Sequence, residues 1–488
     1  MIVYSIPFRI RTFIIIHHGP AKYKRKMTCS RTSAGWGLVM KGKKCYNVAP
    51  KKYAEVLFKG VFRMKKKLFE FARSVFRFFV VIKKDMEGKE YRIRHTPFAI
   101  RVPYQKIYEK KWGSLPIVKN RIVVDNYMGK GYGCNGKYVT EELLKERDKY
   151  DIIWVVDDIS KKKDQFPAGI RLVQHLSREA CEAYATAGIW LCNYHMVPYI
   201  NVNLLKRPEQ TYIQMWHGSL GIKKIEADSP VVSQKTNWLS MAKVNAKITD
   251  YWISNSDFET KVFHDAFWGG GKTFLYGHAR NDIFFHDPEK YQTKVRDILG
   301  ISPEKKIALY VPTHRDTVTK KEMEDLDHAM VKSALEEKFG GTWQVVVRPH
   351  PRNAEKMSGK PTDPVILAGD YPDVQELLVA ADVVITDYSS CIFDYMLTRR
   401  PGFFFVTDSE EYTEMRGLYY PLTDTPFPVA YSNQELKNNI AAFSQDRYQE
   451  RVEEFLKGKG CMDDGHAAER IKELIDQIID GKMRKETV

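Results

Sequence analysis

The sequence predicts an α/β architecture in which two Rossmann-like lobes face a central cleft, with a basic N-terminal extension in front of them. Three observations lead there. A chain of 488 residues exceeds one ordinary domain. Two series of short apolar runs alternate with helical patterns, and the excess of positive charge is confined to the first quarter of the chain. Hydrophobic residues make up 43% and aromatics 12%, ample for packed cores.

The first series comprises Arg121–Asn126 (RIVVDN), Asp151–Val156 (DIIWVV), Gly188–Cys192 (GIWLC), Thr211–Met215 (TYIQM) and Tyr251–Ser254 (YWIS). The second comprises Lys306–Val311 (KIALYV), Gln344–Arg348 (QVVVR), Val383–Thr386 (VVIT) and Gly402–Val406 (GFFFV). Runs of this length rich in Val, Ile and aromatics read as buried strands, and helices between them make the sheets parallel. The series divide near residues 280–304, a charged stretch with Pro288 and Pro303. The expected organisation is an extension over 1–118, a first lobe over 119–285 and a second lobe over 286–488, with helices over 433–482.

Residues 1–120 contain 29 Lys/Arg and 6 Asp/Glu, a balance of +23, so the other 368 residues sum to 16 − 23 = −7. Between Lys51 and Lys84, Tyr53, Leu57, Val61, Met64, Leu68, Phe71, Val75 and Phe79 fall on one helical face. Lys59, Arg63, Lys66, Arg73 and Arg77 recur opposite. A basic amphipathic helix rich in aromatics reads as a binder of an anionic membrane surface, or as a helix packed on its own protein with a solvated basic face. No run approaches the ~20 apolar residues of a membrane span. No nucleic-acid motif accompanies the charge, so nucleic acid is not an expected partner. Seven scattered cysteines without a C-x-x-C pair argue against a disulfide framework or a cysteine-built zinc site. The expected location is peripheral, on the cytoplasmic face of the cell membrane.

Four segments carry chemistry. Trp216-His217-Gly218-Ser219 directly follows a strand, where open parallel sheets bind ligands. A histidine there suits proton abstraction from a hydroxyl, or caps the next helix. Arg348-Pro349-His350-Pro351-Arg352 concentrates positive charge at a strand end of the second lobe, fit for a pyrophosphate or merely solvated. In Asp382–Asp394 a strand runs into Asp387, and Ser389 and Ser390 open a helix, an anion seat or a simple N-cap. Tyr310–Asp316 ends another strand with Thr313 and Arg315 toward the cleft. Gly129, Gly131 and Gly133 form a glycine-rich turn without the G-x-G-x-x-G spacing.

Together these segments resemble the CDP-glycerol glycerophosphotransferase family, the teichoic-acid primases and polymerases. The resemblance covers residues 120–475 and rests on WHGS (216–219), HARND (278–282), YVPTHRD (310–316), RPHPR (348–352), the block over 373–395 and DDGHAAER (463–470). It implies a GT-B fold with CDP-glycerol or CDP-ribitol between the lobes and a lipid-linked polyol-phosphate acceptor. By the same resemblance His217 is the general base on the acceptor hydroxyl, and His350 a second essential histidine at the donor phosphate. Thr313, Arg315, Arg348, Asp387, Ser389 and Ser390 belong to the donor side, and Gly218, Ser219 and Asp282 to the cleft. The chain has Ser219-Leu220 where the family usually has Thr-Pro, and His314 where it usually has tryptophan. The expected reaction transfers glycerol or ribitol phosphate with release of CMP, without cofactor or metal. The rivals are a nucleotide-sugar glycosyltransferase and a non-catalytic membrane-associated scaffold. The basic segment favours a polymerase over a primase.

Overall fold

The computed structural model describes residues 13–15, 27–32, 35–40, 112–196, 206–230, 236–313, 325–349 and 365–483. The chain forms two compact units, Met1–Phe79 and Val80–Val488. In the first, β1 (Phe13–Ile15), β2 (Met27–Thr32) and β3 (Gly35–Met40) make an antiparallel sheet in that order. The amphipathic helix expected over 51–84 lies outside the described residues.

The second unit carries two parallel sheets. The first contains β4 (Val118–Asp125), β5 (Asp151–Val156), β6 (Arg171–Gln174), β7 (Ala187–Cys192), β8 (Thr211–Gln214), β9 (Tyr251–Ser254) and β10 (Lys272–Leu275). Their spatial order is β10-β9-β8-β7-β4-β5-β6. The second contains β11 (Lys305–Val311), β12 (Thr342–Val347), β13 (Val365–Leu367), β14 (Val383–Thr386), β15 (Gly402–Phe405) and β16 (Val429–Ala430), ordered β13-β12-β11-β14-β15-β16. In each sheet the chain starts in the middle, builds to one edge, then crosses back to build the other half. The points of reversal are β4/β7 and β11/β14. Loops leaving the carboxyl ends of such a pair diverge and open a crevice.

Strand composition explains the layering. In β4, Ile122 and Val124 point to one core and Val123 to the other, the period-2 alternation of a strand buried on both faces. Continuous β-branched runs follow from that burial. The four parallel strands that the sequence reading passed over, β6, β10, β13 and β16, are the four sheet edges. Edge strands are covered on fewer sides, so their residues are shorter in apolar content; β10 has no fully buried residue.

Five helices matter for the site: α1 (Cys134–Leu143), α2 (Pro288–Leu299), α3 (Val374–Ala380), α4 (Cys391–Tyr395) and α5 (Ala467–Ile479). The segment read as a divide, 280–304, contains α2, whose Val295 packs into the core of the second sheet. The last helix among the described residues, α5, returns to the first lobe. Ile471, Leu474 and Ile475 of α5 are buried against Tyr138, Val139 and Leu143 of α1 and the strands beneath. This return ties the lobes together covalently at two places. Ile471→Ala should therefore lower unfolding stability by about 2–5 kcal/mol in urea denaturation; an unchanged midpoint would contradict the packing of α5.

Candidate functional site

His217 stands just beyond β8, in a turn that the sequence reaches through strain. Trp216 has φ of 50°, a left-handed conformation costing about 1–2 kcal/mol in a residue with a side chain. Buried polar groups hold it there. Gln214 Oε1 accepts from the Trp216 N–H at 3.0 Å, and Asn135 Nδ2, from the start of α1, donates to the carbonyls of Met215 and Trp216 at 3.2 Å each. His217 Nδ1 lies 2.7 Å from the Asn193 carbonyl. A carbonyl can only accept, so Nδ1 carries the proton and Nε2 keeps its lone pair. The ring is enclosed by Trp216, Tyr127 and Tyr194, with centroids at 4.3, 5.1 and 5.3 Å. Burial pulls its pKa down to about 4; the Asn193 carbonyl opposes this, while Arg280 and His195 add to it. His217 caps no helix, because the next helical turn is Glu226–Asp228.

Arg280 joins this turn to the second lobe. Its Nε is 2.9 Å from Asp394 Oδ2, its Nη2 is 3.2 Å from Asp394 Oδ1, and Nη2 also donates to the Gly218 carbonyl. Both residues are buried, at 3% exposure each. Burial disfavours the guanidinium charge, but Asp394 more than offsets it and raises the pKa. Around the pair, Asn281 donates to Asp394 and Asp463, and Asn255 donates to Ser219 Oγ at 3.0 Å and to Asp463 at 2.8 Å. A second buried cation, Lys137 of α1, reaches Asp373 and Glu376 at 2.8 and 2.6 Å.

Across the cleft, the Asp387 carboxylate accepts from the Thr313 N–H at 2.9 and 3.0 Å and from the Tyr388 N–H at 2.5 Å. It thereby ties the residues that follow β11 and β14 together at their point of reversal. Ser389 and Ser390 follow, both half-buried. Ser389 Oγ is 3.5 Å from the Cys391 N–H, too long for a firm cap, and Ser390 makes no side-chain cap on α4. The loop bearing His217 comes close: a Cβ added to Gly221 would sit 3.1 Å from Ser390 Cβ. Arg348, at the end of β12, has a buried Nη1 without a hydrogen-bond partner, and burial depresses its guanidinium pKa. An under-solvated cation is a strong seat for an anion.

The structure thus brings the loop that carries His217, Gly218 and Ser219 up to Ser390 at Gly221, with Asp387 holding Thr313 close by. Asp282 does something else. Its two oxygens accept from the N–H groups of Ala467 and Ala468 at 3.1 and 2.7 Å, capping α5. Burial raises its pKa to about 6 against those two donors. Arg315 and His350 lie outside the described residues. Asn135, Asn193 and Tyr127 escaped the sequence reading because no motif marks them. Arg280 and Asp394 sat inside quoted segments, but their pairing is a tertiary fact. Among the described residues no three His, Cys, Asp or Glu side chains converge as metal ligands would, and no helix is long and apolar enough to cross a membrane.

Two parallel sheets meeting across a cleft, with a neutral histidine on one wall and an arginine whose buried Nη1 has no hydrogen-bond partner on the other, define a GT-B-like α/β protein. Comparison with known proteins gives the family. Residues 107–477 match the model described as CDP-Glycerol:Poly(glycerophosphate) glycerophosphotransferase, and the chain belongs to that family of enzymes. It is 31% identical to a teichoic acid poly(glycerol phosphate) polymerase of Staphylococcus epidermidis, over 73% of this chain and 50% of that protein. It is 29% identical to the polymerase of the same description from Bacillus spizizenii, over 74% and 93%. The chain thus spans half of one relative and nearly all of the other. Solved structures of the wall teichoic acid polymerase TagF, one of them a variant soaked with CDPG, align with a TM-score of 0.68 at 28% identity, over 78% of this chain and 94% of that chain.

Above about pH 6.5 the folded and unfolded chains both hold His217 neutral. Between 6.5 and about 4 only the unfolded chain takes the proton, so this group's contribution to stability is lost as pH falls through that window. NMR titration should find the His217 midpoint near 4; a midpoint at the ordinary ~6.5 would contradict the burial described.

Proposed function

We propose that this chain transfers glycerol phosphate, or ribitol phosphate, from a CDP-alcohol to the terminal hydroxyl of a lipid-linked polyol-phosphate acceptor and releases CMP. One observation carries the reading: His217 is a neutral base with an unprotonated Nε2, on a loop that meets Ser390 at Gly221 and in the same cleft as Arg348, whose buried Nη1 has no hydrogen-bond partner. The family description and the CDPG-soaked TagF variant support the donor class.

In this mechanism the acceptor oxygen attacks the β-phosphorus in line. The new P–O bond forms as the bond to the bridging oxygen breaks, and CMP leaves with that oxygen. His217 Nε2 takes the acceptor proton. Arg348, Ser389 and Ser390 hold the diphosphate, while Asp387 holds Thr313 and the loop around it. His350, Arg315, Gly218 and Ser219 complete the proposed lining. Phosphoryl transfer needs positioning and charge neutralisation more than covalent help, and these groups supply both. The basic segment 1–118 holds the two lobes, 119–285 and 286–488, at the anionic cytoplasmic surface of the membrane; its +23 balance over residues 1–120 supports that role.

A well-placed general base is worth about 10²–10⁴ in rate. His217→Ala should nearly abolish CMP release from CDP-glycerol or CDP-ribitol while leaving the fold intact. Retention of more than about a tenth of wild-type turnover would refute the assignment. UDP-sugars should give no turnover with the wild type.

A further inference from the structure

At the reversal point of the first sheet, one residue fixes the geometry of both diverging loops. Asn193 follows β7 and is 1% exposed. Its Nδ2 donates to Asn126 Oδ1 at 2.6 Å, its Oδ1 accepts from the Tyr127 N–H at 2.9 Å, and its carbonyl accepts from His217 Nδ1 at 2.7 Å. Tyr127 and His217 are therefore held in one register, edge to face, with ring centroids 5.1 Å apart. Tyr127 and Met128 have φ of 47° and 60°, although Gly129 and Gly131 lie in the same turn. Left-handed backbone at residues with side chains concentrates where a side chain must be aimed.

The Tyr127 hydroxyl lies at the start of α1, near charged residues of both lobes. Its hydrogen-bond partner is Cys134 Sγ at 3.8 Å, a weak acceptor. Arg280 acts on this phenol electrostatically, and the phenol in turn acts on Arg348 of the second lobe. An O–H group near two guanidinium ions as well as the Asp394 carboxylate, with only a thiol to bond, can donate to an oxyanion that reaches it. Burial raises its pKa, so it keeps its proton at any physiological pH.

We propose that Tyr127 contacts substrate: its hydroxyl donates a hydrogen bond to a non-bridging oxygen of the phosphate being transferred, beside the acceptor hydroxyl that His217 deprotonates. The assignment rests on the function proposed above. No bond of Tyr127 is made or broken; the hydroxyl stabilises charge that grows on the phosphate oxygens as CMP departs.

Tyr127→Phe retains the ring against His217 and removes one oxygen. Loss of one preorganised donor predicts a fall in kcat for CMP release of about 10²-fold. The melting temperature and the His217 titration midpoint should stay as in the wild type, which separates loss of the hydroxyl from a displaced ring. A kcat within about threefold of wild type would overturn the assignment of Tyr127 and leave the transferase reading standing. So would a loss of activity accompanied by a shifted His217 midpoint, since the ring alone would then explain it. If the wild type neither binds CDP-glycerol or CDP-ribitol by isothermal titration nor releases CMP from them, the transferase reading fails and this inference falls with it.

Discussion

Arg280 is the constraint on which the rest of the cleft depends. A guanidinium buried to 3% exposure requires compensation, and it receives it from a carboxylate of one lobe and a carbonyl of the other. Asp394 belongs to α4, which begins directly after Ser389 and Ser390, and Gly218 is the residue after His217. One ion pair therefore sets the distance between the base and the serine loop. Removal of either partner would strand a buried charge, at a cost of about 3–5 kcal/mol. Around it, Asn281, Gln375, Asn255 and Asp463 link further backbone and side-chain groups from both lobes. Such a network is unforgiving, since each member satisfies its neighbours. Backbone contacts extend it, with the Tyr419 N–H donating to the Ile222 carbonyl at 2.7 Å.

The same cation has a second effect. Arg280 stands close enough to His217 to help keep it neutral, and burial does most of that work. On the function proposed above, an incoming diphosphate would bring negative charge between Arg280 and Arg348. Negative charge near an imidazole raises its pKa, so the base would strengthen as the donor arrives. Before that, a weakly basic, neutral histidine costs little to bury and does not compete with the donor by carrying a charge of its own. The unpaired Nη1 of Arg348 fits the same logic, because a site left incomplete without its anion gains most from binding it.

Much of the architecture was legible because strands buried on both faces must be continuous apolar runs. Asp151–Val156, Tyr251–Ser254 and Val383–Thr386 were read to the residue for that reason. The edges β6, β10, β13 and β16 were not, since partial exposure erases the signal. The site divides along a similar line. His217 was visible because a histidine and a flexible glycine directly follow a strand, and Asp387, Ser389 and Ser390 because polar residues end a buried one. The partner of Asp282 was invisible: α5 lies 185 residues further along the chain. Arg280 and Asp394 are separated by 114 residues, and a charge read from sequence gives no hint that it is buried. Asn193 and Tyr127 act through backbone geometry, the left-handed turn and a carbonyl that orients a tautomer, and neither leaves a pattern in composition or spacing.

On the function proposed above, two lobes locked by Arg280 present a neutral His217 to a phosphate seated on the opposite wall. The most direct measurement is a crystal structure of the intact chain with CDP-glycerol in the cleft. Such a structure should show a diphosphate oxygen on the Arg348 guanidinium, the serine loop beside it, His217 Nδ1 still on the Asn193 carbonyl, and Nε2 facing the β-phosphate across the space for one hydroxyl. A donor bound elsewhere, or a His217 ring turned so that Nε2 points away from the β-phosphate, would contradict the proposed function.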